Sequence, residues 1–219
     1  MQILEYGIDS PQLGSLLFSA AAAFIYLLMV NRPPTARRAA VRALSIGLLA
    51  ALSTIVGGPL LLSAALLACA AGDALLAQED DRTFVAGLFA FLAGHLLYIA
   101  LFNRLGSVEI VVAEPARLAA GAVMVIAAMF ATLRFVPAAG PLGPFIGVYI
   151  VAIVAMGLSG LLMPGLGVVI GALCLMASDA VRAIEKFLSP QTDGRRSYFV
   201  WVSYYLGQVL IALSVLGLA

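Results

Sequence analysis

The sequence predicts an all-α, polytopic membrane protein with about eight transmembrane helices. Hydrophobic residues fill 63% of the 219 positions and charged residues only 11%, and the mean hydropathy is +1.11. A soluble domain of this length could not bury so much apolar surface, so the chain must use lipid as its solvent. The apolar residues also fall in runs of roughly 17 to 25, the length of a membrane-spanning helix. We treat residues 1–219 as a single transmembrane domain.

Charged residues, Pro and Gly separate the apolar runs. In chain order these breaks fall at 32–34, 57–59, 79–82, 104–115, 134–141, 163–165 and 185–197. The predicted spans between them lie at about 11–30, 39–57, 59–78, 83–103, 115–134, 141–162, 164–184 and 198–218. Gly57, Gly58 and Pro59 predict a hairpin turn into the third span. The second span is expected to be the weakest because Arg42 must extend to the interface, and seven spans are the alternative.

Basic residues divide unevenly between the two sides of these spans. With the N-terminus outside, only Arg104 and Arg117 of the twelve basic residues face outward. The other ten are Arg32, Arg37, Arg38, Arg42, Arg82, Arg134, Arg182, Lys186, Arg195 and Arg196. This bias predicts that both termini lie on the outer face. The expected location is a bacterial inner membrane. The acidic stretch 1–10 lacks a basic n-region, so no signal peptide is expected.

The remaining composition excludes several classes of function. A net charge of +1 gives no basic surface for nucleic acid. Cys69 and Cys174 lie in apolar runs and are expected to behave as small buried hydrophobic residues. With a single His and no Cys/His cluster, neither a metal nor a cofactor is expected.

Asp73 and Asp179 each lie deep inside an apolar span. A carboxylate at membrane depth costs at least about 2.5 kcal/mol, so a chain that keeps two of them has a use for them. Each lies about six residues, or roughly 9 Å, from the predicted cytoplasmic end of its span, so the two share a depth. The structural alternative is that each pairs with a cation such as Arg182 or ties helices together by hydrogen bonds.

A short internal repeat surrounds the two aspartates. Residues 71–77 read Ala-Gly-Asp-Ala-Leu-Leu-Ala and residues 177–183 read Ala-Ser-Asp-Ala-Val-Arg-Ala. The helices that follow contain Gly94-His95 and Gly207-Gln208. Four helices separate the copies, which suggests two parallel four-helix repeats. Chance similarity in an Ala/Leu-rich chain is the alternative.

Polar and aromatic side chains accompany the aspartates on the predicted helices. Helical spacing places Phe91, His95 and Tyr98 on one face of the fourth span, and Tyr204 and Gln208 on one face of the eighth. If these faces converge, they form a polar pocket with apolar walls that opens toward the cytoplasmic leaflet and suits an amphiphile. Packing or interface roles are the alternative for each. The candidate supporting residues are His95, Tyr98, Tyr149, Ser178, Tyr204, Tyr205 and Gln208.

Three groups of residues carry a family resemblance. The first comprises Gly72, Asp73, Phe84, Gly87, Phe91, Gly94, His95 and Tyr98. The second is Ser178-Asp179 with Phe187, and the third is Tyr204-Tyr205 with Gln208. In order and spacing these groups resemble the YhhN-like lysoplasmalogenase family, over a stretch from about residue 60 to the C-terminus.

The resemblance implies hydrolysis of the vinyl ether bond of a lysoplasmalogen, a lysophospholipid that enters from the surrounding membrane lipids. Acid protonates the alkene carbon, water captures the oxocarbenium ion, and the hemiacetal collapses to a fatty aldehyde and a glycerophospho-base. Asp73 and Asp179 would be the catalytic pair, with one proton shared because burial and mutual repulsion disfavour double ionisation. His95 would transfer a proton or orient an aspartate, and the tyrosines and Gln208 would position water and headgroup.

Two other functions use membrane aspartates. A small proton-coupled transporter or lipid carrier would use them as proton relays. An intramembrane aspartyl protease is the less favoured reading, because residues 70–73 read Ala-Ala-Gly-Asp where that class has Gly-x-Gly-Asp. Turnover in detergent would favour an enzyme, and dependence on a sealed gradient would favour transport.

Overall fold

A computed structural model describes residues 11–78, 80–189 and 194–218. The acidic stretch 1–10 and Glu79 lie outside the described residues, as do the two chain ends that the orientation prediction concerns. The described chain is helical throughout, which confirms the predicted all-α class. Its helices are α1 Pro11–Met29, α2 Ala36–Ile55, α3 Leu60–Leu76, α4 Asp81–Leu105, α5 Val108–Ala113, α6 Pro115–Ala138, α7 Gly143–Gly160, α8 Gly167–Ala183 and α9 Gly194–Val215.

Within the described residues, seven helices are long and apolar enough to cross a membrane. The eighth apolar helix is α3, whose 17 residues extend roughly 26 Å at 1.5 Å per residue. The prediction that Arg42 shortens the second span is therefore wrong, because α2 has 20 residues and α3 is the short one. The second span is nevertheless the least apolar of the seven. The six-residue helix α5 was not predicted. It lies in the break at 104–115, where Ser107 caps it by accepting a hydrogen bond from the Glu109 N–H at 3.3 Å.

Two helix boundaries show how local chemistry ends each span. Gly57 has φ +69°, a conformation that side-chain-bearing residues rarely adopt, and Pro59 directly precedes α3. This confirms the predicted hairpin turn. Asp80 caps α4 by accepting hydrogen bonds from the N–H groups of Arg82 and Thr83, both at 3.0 Å. The hydrogen bond from the Thr83 hydroxyl contributes most to holding the pKa of the Asp80 carboxyl below its ordinary value.

The helices pack mainly against their neighbours in the chain. The most extensive packing joins α3 to α4 and α8 to α9, and α3 also packs against α2. The helix α4 crosses to the second half and packs against α7. Large apolar side chains such as Phe18 and Leu60 remain exposed on the outside, as expected for a surface that faces lipid. Most of α6 is exposed in the same way.

Two close helix crossings share one register. A Cβ on Gly94 of α4 would lie 2.7 Å from Cys69 Sγ of α3, and a Cβ on Gly207 of α9 would lie 3.0 Å from Leu175 Cδ2 of α8. Cys69 lies four residues before Asp73, and Leu175 lies four residues before Asp179. The glycines therefore let each pair of helices approach closely at equivalent distances from the two aspartates, which is consistent with the suggested parallel repeat.

Candidate active site

Asp73 is fully buried in a network of charged and aromatic groups. Arg42 Nε donates to its Oδ1 at 2.8 Å, and the Tyr204 hydroxyl donates to its Oδ2 at 2.8 Å. Arg42 itself lies over the rings of Tyr26 and Trp201, with its guanidinium carbon 5.4 and 5.6 Å from their centroids. Both carboxylate oxygens are thus occupied by protein donors, and a charge-matched pair of this kind is the form in which ions are tolerated away from water.

The interpretation of Arg42 as a residue that extends to the interface is wrong. Its side chain is only 6% exposed and forms the ion pair with Asp73. Arg182, which the sequence offered as the alternative partner for an aspartate, forms neither this pair nor any other hydrogen bond or ion pair with the described residues. The sequence did contain a signal for Arg42, since a cation inside a span needs an anion, and Asp73 lies one hairpin later.

Asp179 has a different environment. Its side chain is 26% exposed, and its Oδ2 accepts a hydrogen bond from the Tyr149 hydroxyl at 2.8 Å. His95 Nε2 lies 4.0 Å from the same oxygen, and its ring packs edge-on against the ring of Tyr149. Among the described residues no hydrogen bond joins Asp179 to Asp73, and each carboxyl group has its own hydrogen-bond partners. That the pair holds one proton stays a prediction.

A cavity of about 340 Å³ connects these groups. Asp179 lies in its wall together with Arg42 and Tyr204, the two residues that hold Asp73. Most of the remaining wall is apolar and comes from α4, α6, α7 and α8. Residues that contribute to it include Leu88, Phe91, Met124, Ala127, Ala131, Phe135, Ile146, Ile150, Ile153, Met176, Ser178 and Phe187.

We infer that the cavity opens between α6 and α8. Both helices line it, and they make almost no direct contact with each other. Val123 on α6 is 63% exposed and Leu173 on α8 is 42% exposed, although both contribute to the cavity wall. Met124 packs with Val169 near the start of α8 and closes the gap at the end away from Asp179. The resulting opening faces the side of the helical bundle, where lipid would be.

Four of the predicted supporting residues lie away from the cavity wall. The Tyr98 hydroxyl donates to Gln208 Oε1 at 2.5 Å, and both side chains are fully buried between α4 and α9. The Tyr205 hydroxyl bonds instead to Ser19 Oγ of α1 at 2.9 Å. His95 lies behind Tyr149. The structure therefore brings Tyr149, Ser178 and Tyr204 to the cavity, although the Ser178 hydroxyl donates to a backbone carbonyl of α9 at 2.9 Å.

Sequence reasoning missed the role of one further residue of this region, Lys186. Lys186 lies in a π-helical turn, Ile184–Leu188, that continues α8, and its Nζ is 4.5 Å from the ring centroid of Phe84. Both residues line the cavity. Such a turn is common at functional sites because it redirects side chains within a helix. The available signal was Lys186 itself, which was assigned only to membrane orientation.

The fold and the site define a polytopic helical membrane protein with two intramembrane carboxylates beside an apolar cavity that opens toward lipid. The chain belongs to the YhhN family, whose model matches residues 37–215. The match therefore begins in α2 and includes Arg42. It starts earlier than the resemblance seen in the sequence, which began at about residue 60.

Curated relatives match a smaller part of the chain. A protein of Bos taurus named lysoplasmalogenase TMEM86A is 32% identical over 156 residues, which cover 66% of this chain and 60% of the relative. A protein of Mycobacterium bovis named lysoplasmalogenase is 35% identical over 154 residues, which cover 67% of this chain and 57% of the relative. The chain thus spans less than two thirds of the length of these relatives. No solved structure gave a significant match.

Proposed function

We propose that this protein is an integral membrane hydrolase that cleaves the vinyl ether bond of a lysoplasmalogen to a fatty aldehyde and a glycerophospho-base. The observation that carries the proposal is the position of Asp179, a carboxyl group in the wall of an apolar cavity that opens toward lipid. The names of the mycobacterial and mammalian relatives support the same activity.

The shape of the cavity suits one alkenyl chain. Its volume of about 340 Å³ lies at the lower end of the range for small-molecule sites, roughly 300 to 1,000 Å³. A long chain would therefore be only partly enclosed, and the remainder would extend through the opening between α6 and α8. Because that opening faces lipid, the substrate can enter from the membrane without passing its tail through water.

Asp179 is the proposed general acid. Tyr149 holds one oxygen of its carboxyl group, Oδ2, and the other oxygen makes no hydrogen bond to the described residues. A proton on this second oxygen would pass to the alkene carbon next to the ether carbon. The carbon–carbon double bond then becomes a single bond, and the ether carbon becomes an oxocarbenium ion beside the newly formed Asp179 carboxylate.

The same carboxylate completes the reaction. Asp179 accepts a proton from the water that attacks the oxocarbenium carbon, which yields a hemiacetal and restores the acid. The hemiacetal then loses its hydroxyl proton, its bond to the glycerol oxygen breaks, and that oxygen takes up a proton. The net change is the addition of one water to give an aldehyde and an alcohol, and Asp179 returns to its starting form.

Asp73 has a proposed positioning role. It lies below the cavity wall rather than in it, and it contacts the wall through Arg42 and Tyr204. It holds the Arg42 guanidinium and the Tyr204 hydroxyl in place in that wall. The two carboxylates therefore have different roles, one as acid and base and one as the anchor of two wall residues.

The proposed location is a bacterial inner membrane with both chain termini on the outer face, on the evidence of the basic residues. In that orientation Asp73 and Asp179 lie toward the cytoplasmic ends of α3 and α8. The site would then receive lysophospholipid from the cytoplasmic leaflet.

Replacement of Asp179 tests the proposal. Asp179→Asn keeps the size and polarity of the side chain but removes the acid, so aldehyde release from lysoplasmenyl-choline or lysoplasmenyl-ethanolamine should fall at least about 100-fold. The measurement is aldehyde formation by purified protein in detergent, where no sealed gradient exists. The control is the opposite substitution, Asn103→Asp. Asn103 lies on α4, donates a hydrogen bond to the Ser159 hydroxyl and does not line the cavity.

The control should retain wild-type turnover. Wild-type-like aldehyde release by the Asp179→Asn variant would refute the assignment of the acid. Absence of turnover by the wild-type protein on both substrates would refute the hydrolase function itself.

A further inference from the structure

We infer that a second cavity next to the active site binds the phosphate group of the substrate headgroup. This inference rests on the proposed function and names a subsite for its substrate. The second cavity, which we call the vestibule, has a volume of about 260 Å³ and lies at the ends of α1, α2, α8 and α9. Its charged lining residues are Arg38, Arg42, Arg182, Glu185 and Lys186.

The vestibule adjoins the active-site cavity. Arg42, Phe84, Arg182 and Lys186 line both. The two cavities nevertheless differ in character. The wall of the active-site cavity is mostly apolar, whereas polar atoms form a larger share of the wall of the vestibule. A molecule that fills both must therefore be an amphiphile with its ionic group in the vestibule.

The charges of the vestibule favour an anion. Arg42 is paired with the buried carboxylate of Asp73. The other charged lining residues are three cationic side chains, Arg38, Arg182 and Lys186, and one carboxylate, Glu185. Arg38 is held in place, since its Nη2 donates to the Val30 carbonyl at 3.1 Å and its side chain is buried. Guanidinium groups fixed in this way are suited to phosphate, which accepts several charge-assisted hydrogen bonds.

Arg182 is the residue best placed to contact the phosphate. It forms no hydrogen bond or ion pair with the described residues, although it lines both cavities. It follows Asp179 by three residues on α8, which places it on the same face about 4.5 Å further along the helix axis. Five bonds separate the vinyl ether oxygen of a lysoplasmalogen from its phosphorus, roughly 6 Å in extended form. A substrate with its ether at Asp179 can therefore present its phosphate to Arg182.

A free phosphate compound shares this chemistry. The vestibule shares lining residues with the apolar cavity, and this adjacency favours a lipid as the source of the phosphate. Binding of lipids with and without a phosphate, beside soluble phosphates, separates the two sources.

Trp201 provides the readout. It is the only tryptophan of the chain and it lines the vestibule, so its fluorescence should change when the vestibule is filled. The probes are a 1-alkyl lysophosphocholine, whose saturated ether is not cleaved, and the 1-alkylglycerol of the same chain length, which has no phosphate. The protein is the full chain in a maltoside detergent, which also lacks phosphate.

The Arg182→Gln variant should bind the lysophosphocholine at least about tenfold more weakly than wild type, as expected when charge-assisted hydrogen bonds are lost, and should bind the alkylglycerol unchanged. Arg182→Lys should recover part of the affinity. Arg134→Gln is the matched control, because Arg134 is exposed on α6 and lines neither cavity. A thermal melt of each variant checks that it is folded.

Equal weakening of both lipids by Arg182→Gln, or no weakening of either, would overturn the inference. Displacement of the lysophosphocholine by inorganic phosphate or glycerophosphocholine at concentrations similar to those of the lipid would also overturn it, in favour of a soluble phosphate ligand. Because neither lipid is cleaved, this result is independent of vinyl ether hydrolysis, and failure of the proposed reaction would leave the binding comparison intact.

Discussion

At the scale of single residues, the site consists of two aspartates with the same chemistry and opposite surroundings. Asp73 is fully buried and both of its oxygens accept hydrogen bonds, whereas Asp179 is partly exposed to the cavity and is held through one oxygen. A carboxyl group with both oxygens bonded is held as part of a fixed network, whereas one held through a single oxygen can exchange a proton with a molecule in the cavity. The two residues should therefore respond differently to the same substitution.

Asp73→Asn is expected to destabilise the protein, because it leaves the buried Arg42 cation without its anion. Removal of one member of a buried pair typically costs about 3 to 5 kcal/mol. The double variant Arg42→Gln with Asp73→Asn removes both charges and should regain much of the thermal stability in detergent while aldehyde release stays low. A double variant no more stable than Asp73→Asn alone would show that the ion pair is not the stabilising interaction.

Tyr149→Phe tests the hydrogen bond that holds Asp179. Loss of this donor should leave the carboxyl group less well oriented and reduce kcat about tenfold, with a smaller effect on KM. Tyr98→Phe is the matched change, because Tyr98 is a buried tyrosine bonded to Gln208 and lies away from the cavity wall. Steady-state kinetics of aldehyde release distinguish the two, and an equal loss of kcat in both variants would contradict the placement of Tyr98 outside the site.

At the scale of helices, Arg117 fixes the end of the bundle opposite the active site. This residue of α6 is only 4% exposed, and its guanidinium donates to the backbone carbonyls of Leu161, Met163 and Gly165 at 2.9 Å each. Its Nε also donates to Glu114 at 2.9 Å. These bonds join the start of α6 to the turn between α7 and α8, whose carbonyls would otherwise have no partner. Arg117 thus holds together two of the helices that form the cavity.

Arg117→Gln should therefore lower stability by about 3 kcal/mol or more, since several charge-assisted hydrogen bonds are lost and buried carbonyls remain unpaired. Arg104→Gln is the control, because Arg104 is an exposed basic residue at the end of α4 in the same connecting region. Thermal unfolding in detergent compares the two. Similar melting temperatures would mean that α6 is held by its packing against α7 rather than by Arg117.

At the scale of the whole molecule, the two halves hold their aspartates in related ways. Asp73 on α3 is bonded by Arg42, 31 residues earlier on α2, and Asp179 on α8 is bonded by Tyr149, 30 residues earlier on α7. Each also receives a residue from the last helix of the other half, Tyr204 on α9 for Asp73 and His95 on α4 for Asp179. This exchange between halves supports the suggested parallel repeat and explains why the two motifs meet at one cavity.

The orientation in the membrane remains a prediction, and it does not depend on the basic residues that have other roles. Arg38, Arg42 and Arg182 line the vestibule and Arg117 is buried, so these four have other roles. Without them the basic residues still divide seven against one in favour of the cytoplasm. Reporter fusions near Arg37 and near Gly194 should report cytoplasm, and a fusion after Ala219 should report the outer face. A cytoplasmic C-terminus would require an odd number of crossings, and the short helix α3 would be the first to reconsider.

The sequence by itself determined the helical class, the approximate bounds of the eight apolar helices and the existence of two intramembrane carboxylates. Each of these follows from local chemistry, because a backbone in lipid must satisfy its own hydrogen bonds and a run of apolar residues of the right length can do so only as a helix. The hairpin at Gly57 and Pro59 was predictable for the same reason, since the turn depends on the backbone preferences of those residues alone.

Only the tertiary structure decided which polar groups meet. Tyr98 and His95 share a helical face in the sequence pattern, yet one bonds to Gln208 and the other lies beside Asp179. The pairing of Arg42 with Asp73, and the separation of the vestibule from the apolar cavity, depend on how each helix is rotated and where it crosses its neighbours. In helices rich in Ala and Leu nearly every face can pack, so rotation is set by a few close contacts between distant segments, and these contacts leave little trace in local sequence.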